Sequence, residues 1–144
     1  MNHIPDGILD TNTVILLPRI SDVSLLPVYP TITSITLAEL SVGPLVATDN
    51  ETRAARLAQV QQAENDFEPL PFDAAAARAF GRVASSLRSS GRKSSARAYD
   101  ALIAAVAVAT DLPLYTVNPH DFAGIAGLTV VPIAHPDSNA TALP

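Results

Sequence analysis

Between Ala98 and Ala109 the chain carries one charge, Asp100, in a stretch that is apolar on every face of a helix. A helix that is hydrophobic all round has to be buried, so this one needs protein against more than one side. The chain has 144 residues and no cysteine, so the cover must come from its own core without covalent staples. The absence of cysteine also excludes a disulfide framework, thiolate metal sites and cysteine nucleophiles. At 48% apolar and 16% charged the chain is too hydrophobic to be disordered, although 24 of its residues are alanine and supply little bulk. The longest unbroken apolar run, Ala101 to Ala109, is nine residues, about half of what a membrane span requires. With no basic, apolar leader at Met1 to Gly7, the expectation is a soluble cytoplasmic domain.

What surrounds that helix alternates. Ile8-Leu9 predicts a first strand ending at Asp10, and Asn12 to Leu17 a short helix closed by Pro18. Residues 18–30, with prolines at 18, 27 and 30, read as a crossover. Thr31 to Ile35 predicts a second strand, and Thr36 to Leu40 or Val42 a helix stopped by Gly43-Pro44. Helices are expected at 51–66 behind Asp49 or Asn50, at 74–89 behind Asp73, and at 96–110 behind Ser94 or Ser95. Phe67 to Phe72 is an edge-strand candidate, Pro113 to Val117 and Leu128 to Ile133 are strands, and His120 to Ala123 is a helical turn. Strands alternating with helices predict an α/β fold, a three-layer α/β/α sandwich on a small, mostly parallel sheet. Residues 1–133 form the domain, and 134–144 read as a flexible tail. In such sheets ligands sit beyond the carboxyl ends of the strands.

Four carboxylates fall at that edge. Asp10 ends the first strand, Asp121 follows the strand at 113–117, and Glu39 and Asp100 lie in early turns of helices that follow loops. Each has an ordinary explanation beside it. Asp10 and Asp121 could cap the turns after them, Thr36-Leu37-Ala38-Glu39 matches a capping box, and Asp100 could pair with Arg97. Taken together, four converging carboxylates repel one another and need a counter-charge. Mg²⁺, with Mn²⁺ as the second choice, is the hard cation that suits an all-oxygen cluster. Bound there, such an ion can generate hydroxide and stabilise displacement at phosphorus. Three scattered histidines make zinc a poor fit.

The segments Ile8-Leu9-Asp10-Thr11-Asn12, Thr36-Leu37-Ala38-Glu39-Leu40, Ala98-Tyr99-Asp100-Ala101-Leu102-Ile103-Ala104-Ala105 and Thr116-Val117-Asn118-Pro119-His120-Asp121-Phe122 occur in that order. Over residues 8 to about 133 this resembles a PIN domain, specifically the VapC ribonuclease toxins of bacterial toxin–antitoxin pairs. The resemblance implies a metal-dependent endoribonuclease in which Asp10, Glu39, Asp100 and Asp121 hold the metal, with Thr11, Asn12, Thr116 and Asn118 in support. It also implies a homodimer silenced by a VapB-like antitoxin. Asn12 stands where serine is commoner, Val117 where many relatives are basic, and Asn118 where some relatives place an acid.

Six of the nine basic residues, Arg78, Arg82, Arg88, Arg92, Lys93 and Arg97, lie between Asp73 and Asp100 with no acid among them. Such a strip can neutralise the phosphates of an RNA that the acidic rim would repel, or serve simply as a solvated helix face. A phosphatase of the haloacid-dehalogenase kind would need an acid at Asn12. The alternative outside catalysis is an inactive PIN-like module that binds RNA or protein.

Overall fold

The computed structural model describes residues 3–91 and 98–140. Four short strands, β1 (Gly7–Leu9), β2 (Pro30–Thr31), β3 (Leu114–Thr116) and β4 (Val130–Pro132), form one parallel sheet in the order β2-β1-β3-β4. Ile8 stands opposite Thr31 on one side and Leu114 on the other, and Tyr115 is paired with Val131. The helices are α1 (Thr11–Leu16), α2 (Ser34–Val42), α3 (Asn50–Asp66), α4 (Ala74–Ser89) and α5 (Ala98–Thr110).

Successive strand residues face opposite sides of a sheet, and β1 separates the two cores in this way. Ile8 belongs to the core under α4 and α5, with Ala76, Ala79, Val83, Leu87, Ile103, Val106 and Phe122. Leu9 belongs to the core on the other face, with Val14 of α1, Leu40 of α2, Ala63 of α3 and Ile32. The result is the expected three-layer α/β/α arrangement. The stripe Ala76, Ala79, Val83, Leu87 keeps helical spacing, and its alanines let α4 lie close against the apolar α5. Gly7 is required by close approach. A Cβ there would come within 2.6 Å of the Tyr115 ring and 2.8 Å of Pro27.

Helix starts follow the capping rule. The side chains of Asp10, Thr33, Asp49 and Asp73 accept the backbone N–H of Thr13, Thr36, Thr52 and Ala76. Three expectations are corrected here. The second strand ends at Thr31, because Thr33 is extended and caps a helix that already begins at Ser34. Thr36 therefore lies inside α2, not at its cap, so Thr36–Glu39 is not a capping box. The propensity of Ile35 for strand gives way to that cap, and Ile35 packs from α2 against the α4–α5 core. Phe67 to Phe72 forms a single parallel bridge, Leu70 with Thr33, and not a strand. Its prolines at 69 and 71 lack the N–H that a ladder needs. The predicted start of α5, with Ser94 and Ser95, falls outside the described residues. Among the described residues no helix is long and apolar enough to cross a membrane. Beyond β4, residues 136–140 make a 3-10 turn, and Asp137 pairs with Arg19.

Candidate active site

Asp10 is the first residue past β1 and is only 3% exposed. A buried carboxylate must be hydrogen-bonded, and this one is held from both sides. Its Oδ1 accepts the backbone N–H of Thr13 at 3.2 Å and also the Thr13 hydroxyl. Its Oδ2 accepts the Thr116 hydroxyl at 2.8 Å. Those hydroxyls are themselves oriented, because Thr13 Oγ1 accepts Val117 N–H at 3.1 Å and Thr116 Oγ1 accepts Asn118 N–H at 2.9 Å. Two threonines thus join the end of β1 to the end of β3 through one carboxylate.

Glu39 stands beside this group, on α2. Its Oε1 accepts the Thr11 hydroxyl at 2.7 Å, and Thr11 Oγ1 lies 2.9 Å from Thr36 Oγ1. A hydroxyl has one proton. Since that of Thr11 goes to Glu39, Thr36 donates to Thr11. Burial pushes the carboxyl of Asp10 above its ordinary range, against the lowering effect of the hydrogen bonds from Thr13 and Thr116. Burial does the same to Glu39, and the charge of Asp10 pushes it further in the same direction. The two acids are close enough to feel each other.

The other predicted acids arrive by topology. The chain leaves α5 to enter β3 at its amino end, so the first turn of α5 lies at the carboxyl edge of the sheet, and Asp100 is in that turn. Asp121 lies in the 3-10 turn Pro119–Phe122 just past β3, its N–H donating to Asn118 O at 3.0 Å. Both are half-buried. The amide of Asn12 donates to Asn118 Oδ1 at 3.3 Å, linking two predicted supporting residues across the site. Among the described residues, no three of the Asp, Glu and His side chains close into a ready-made metal-holding group. The pair the structure brings together is Asp10 and Glu39. Arg78, Arg82 and Arg88 are exposed on α4, while Arg92, Lys93 and Arg97 lie outside the described residues. Arg53 donates to the carbonyls of Pro44 and Ala47, and Arg56 to that of Gly43.

Sequence reasoning missed Thr13 and Thr36, both fully buried. Thr13 was legible in principle, being a hydroxyl three residues after a strand-end aspartate, among apolar neighbours. The donor set consists of carboxylate, hydroxyl and amide oxygens, the chemistry a hard divalent cation takes. Two carboxyls raised by burial, that of Glu39 also by the charge of Asp10, fit it too, because a cation would relieve both.

A family model for the PIN domain matches residues 8–128. The chain belongs to the PIN-domain family. Within that family it is 41% identical over 129 residues to ribonuclease VapC5 of Mycobacterium tuberculosis, covering 88% of this chain and 93% of that one. It is 36% identical over 99 residues to ribonuclease VapC4 of the same organism, covering 69% and 73% of the two chains. Among solved structures it resembles VapBC-5 of M. tuberculosis, a member of the VapBC family of toxin–antitoxin systems, with a TM-score of 0.75 and 35% identity over 90% of this chain and 100% of that one. DNA-bound VapBC from Salmonella typhimurium matches with a TM-score of 0.72 and 28% identity, over 88% and 97% of the two chains. PIN-domain ribonucleases of the VapC kind are metal-dependent as a class.

Proposed function

We propose that this PIN-domain chain is the toxin of a VapBC-type pair, an endoribonuclease that cleaves RNA phosphodiesters in the cytoplasm with a carboxylate-bound Mg²⁺ or Mn²⁺. The observation that carries the reading is the coupled pair Asp10–Glu39, held by threonines at the carboxyl edge of a parallel sheet. Likeness to the VapC ribonucleases supports it.

Asp10 and Glu39 would hold the metal, with Asp100 and Asp121 brought to the same edge by the fold. The metal, when bound, polarises the scissile phosphate and activates water. The chain's own residues do the rest. Thr13 and Thr116 keep the Asp10 carboxylate in one rotamer, and Thr11, oriented by Thr36, does the same for Glu39. The Asn12–Asn118 link offers amide groups to the substrate backbone, and the exposed arginines of α4 supply positive charge along an RNA strand.

The partner is a VapB-like antitoxin. Between α1 and α3 runs an apolar groove of about 640 Å³, lined by Val14, Ile15, Leu17, Ala58, Ala63 and Phe67, which suits an amphipathic helix. A second copy of the chain completes the assembly as a homodimer. The test is incubation of the purified chain with RNA, with and without EDTA. Cleavage that stops in EDTA and returns with Mg²⁺ or Mn²⁺ supports the reading. An intact RNA under all conditions would leave a binding module.

A further inference from the structure

The clamp on Asp10 is not symmetric. Among the described residues, Thr13 gives Oδ1 two hydrogen bonds, whereas Thr116 gives Oδ2 one. A carboxylate oxygen offers about two lone-pair directions. Thr13 therefore takes both directions of Oδ1, while Thr116 takes one direction of Oδ2. Val117 N–H, at 3.1 Å, occupies one of the two lone pairs of the Thr13 hydroxyl and so orients its proton. Its proton is left with one acceptor, Asp10. Thr13 is also fully buried, so no water competes for that proton.

We propose that Thr13 is a positioning residue for the metal centre, fixing Asp10 so that it offers the cation a single oxygen, Oδ2. This rests on the metal-site reading given above. Thr13 sets three things at once: the rotamer of Asp10, the oxygen presented, and the distance between the ends of β1 and β3 through Val117. A valine has nearly the same shape and keeps the backbone N–H to Asp10, but loses the hydroxyl's bonds to Asp10 and Val117. In Thr13→Val, Oδ1 keeps only the backbone N–H, so the Asp10 carboxylate is held less tightly and the cation loses a preorganised ligand.

The experiment titrates Mn²⁺, and separately Mg²⁺, into the metal-free full chain by calorimetry, comparing wild type, Thr13→Val and Thr13→Ser, with Tm recorded for each. The account predicts that Thr13→Val weakens cation binding by about 10–100-fold, the range seen when an outer partner of a metal ligand is removed. Thr13→Ser, which keeps the hydroxyl, should bind like wild type. If Thr13→Val does not fold, Thr13→Ala carries the same comparison. A lower Tm with an unchanged cation Kd would overturn the proposal, leaving Thr13 as a stitch between strands and the metal reading intact. So would a Thr13→Ser protein that binds as weakly as Thr13→Val. A wild-type chain that binds neither cation would overturn the metal reading and this proposal with it.

Discussion

The two faces of the sheet are built on different principles. Under α4 and α5 the contacts are apolar and dry: Ile8, Val83, Ile103, Val106, Leu114 and Phe122 are all at most 1% exposed, and alanines fill the gap between the helices. Under α1, α2 and α3 the apolar cluster is smaller. Along the carboxyl edge of the sheet, where the two faces meet, apolar residues give way to Asp10, Glu39 and five of the chain's threonines, residues 11, 13, 33, 36 and 116. Apolar packing stabilises without direction, whereas a buried carboxylate costs free energy and is tolerated only where hydrogen bonds or a cation answer it. The difference teaches that stability resides in the apolar packing, above all on the α4–α5 face, and that the buried carboxylates of the rim are held at its expense.

Substitutions on the two faces should therefore separate activity from folding. The largest effect is on the rim. Asp10→Asn keeps size but removes the charge, and RNA cleavage should fall by more than the roughly 10–100-fold that an outer partner is worth, with circular dichroism unchanged. On the other face, Ile103→Ala should lose about 2–5 kcal/mol in a denaturant titration, the usual cost of a buried aliphatic truncation. Its cleavage rate per folded molecule should match wild type. If Ile103→Ala instead lost activity while staying folded, the separation of the faces would fail. Thr33→Ala removes the cap that α2 uses and should cost about 0.5–2 kcal/mol by the same titration. Leu57→Gln, at a side chain 46% exposed on α3, should shift stability by less than about 0.5 kcal/mol.

Acidity sharpens the same contrast. Asp10 and Glu39 hold their protons more tightly when folded than their ordinary values of 3.8 and 4.5 imply. Without metal, their contribution to stability is thus greatest at low pH and is lost as pH rises from those values through the raised ones. Asp49, an exposed cap whose carboxyl is lowered by the Thr52 N–H and hydroxyl, behaves oppositely. Its contribution is present above 3.8 and lost as pH falls through its lowered value. Thermal melts of the metal-free chain between pH 3 and pH 7 should show the rim's loss reduced in Asp10→Asn, with the part due to the burial of Glu39 remaining.

Much of this was legible in the sequence because it depended on short-range patterns. Asp49 and Asp73 announced α3 and α4, the unbroken apolar run announced α5, and Asp10 at the end of β1 pointed to the carboxyl edge of the sheet. What was misread depended on competition between local rules. Thr31 to Ile35 is β-branched and reads as strand, but Thr33 in an extended conformation caps a helix, and that moved Thr36 from cap to interior. Glu39 consequently lost its capping role and gained Thr11 as a partner, which no local pattern reveals. Thr13 and Thr116 are 103 residues apart in the chain and meet only because β1 and β3 are neighbours.

The central claim, that the rim's charge is kept at the expense of stability for the sake of a cation, meets its most direct test in Glu39→Gln. Glutamine keeps the acceptor that Thr11 needs and removes the charge that repels Asp10. Differential scanning calorimetry of wild type and variant at pH 7, with and without Mn²⁺, supplies the measurement. The account predicts a metal-free variant at least as stable as wild type, and a rise in Tm on adding Mn²⁺ that is clear in wild type and small in the variant. A metal-free variant that melts well below wild type, or one that Mn²⁺ stabilises equally, would contradict it.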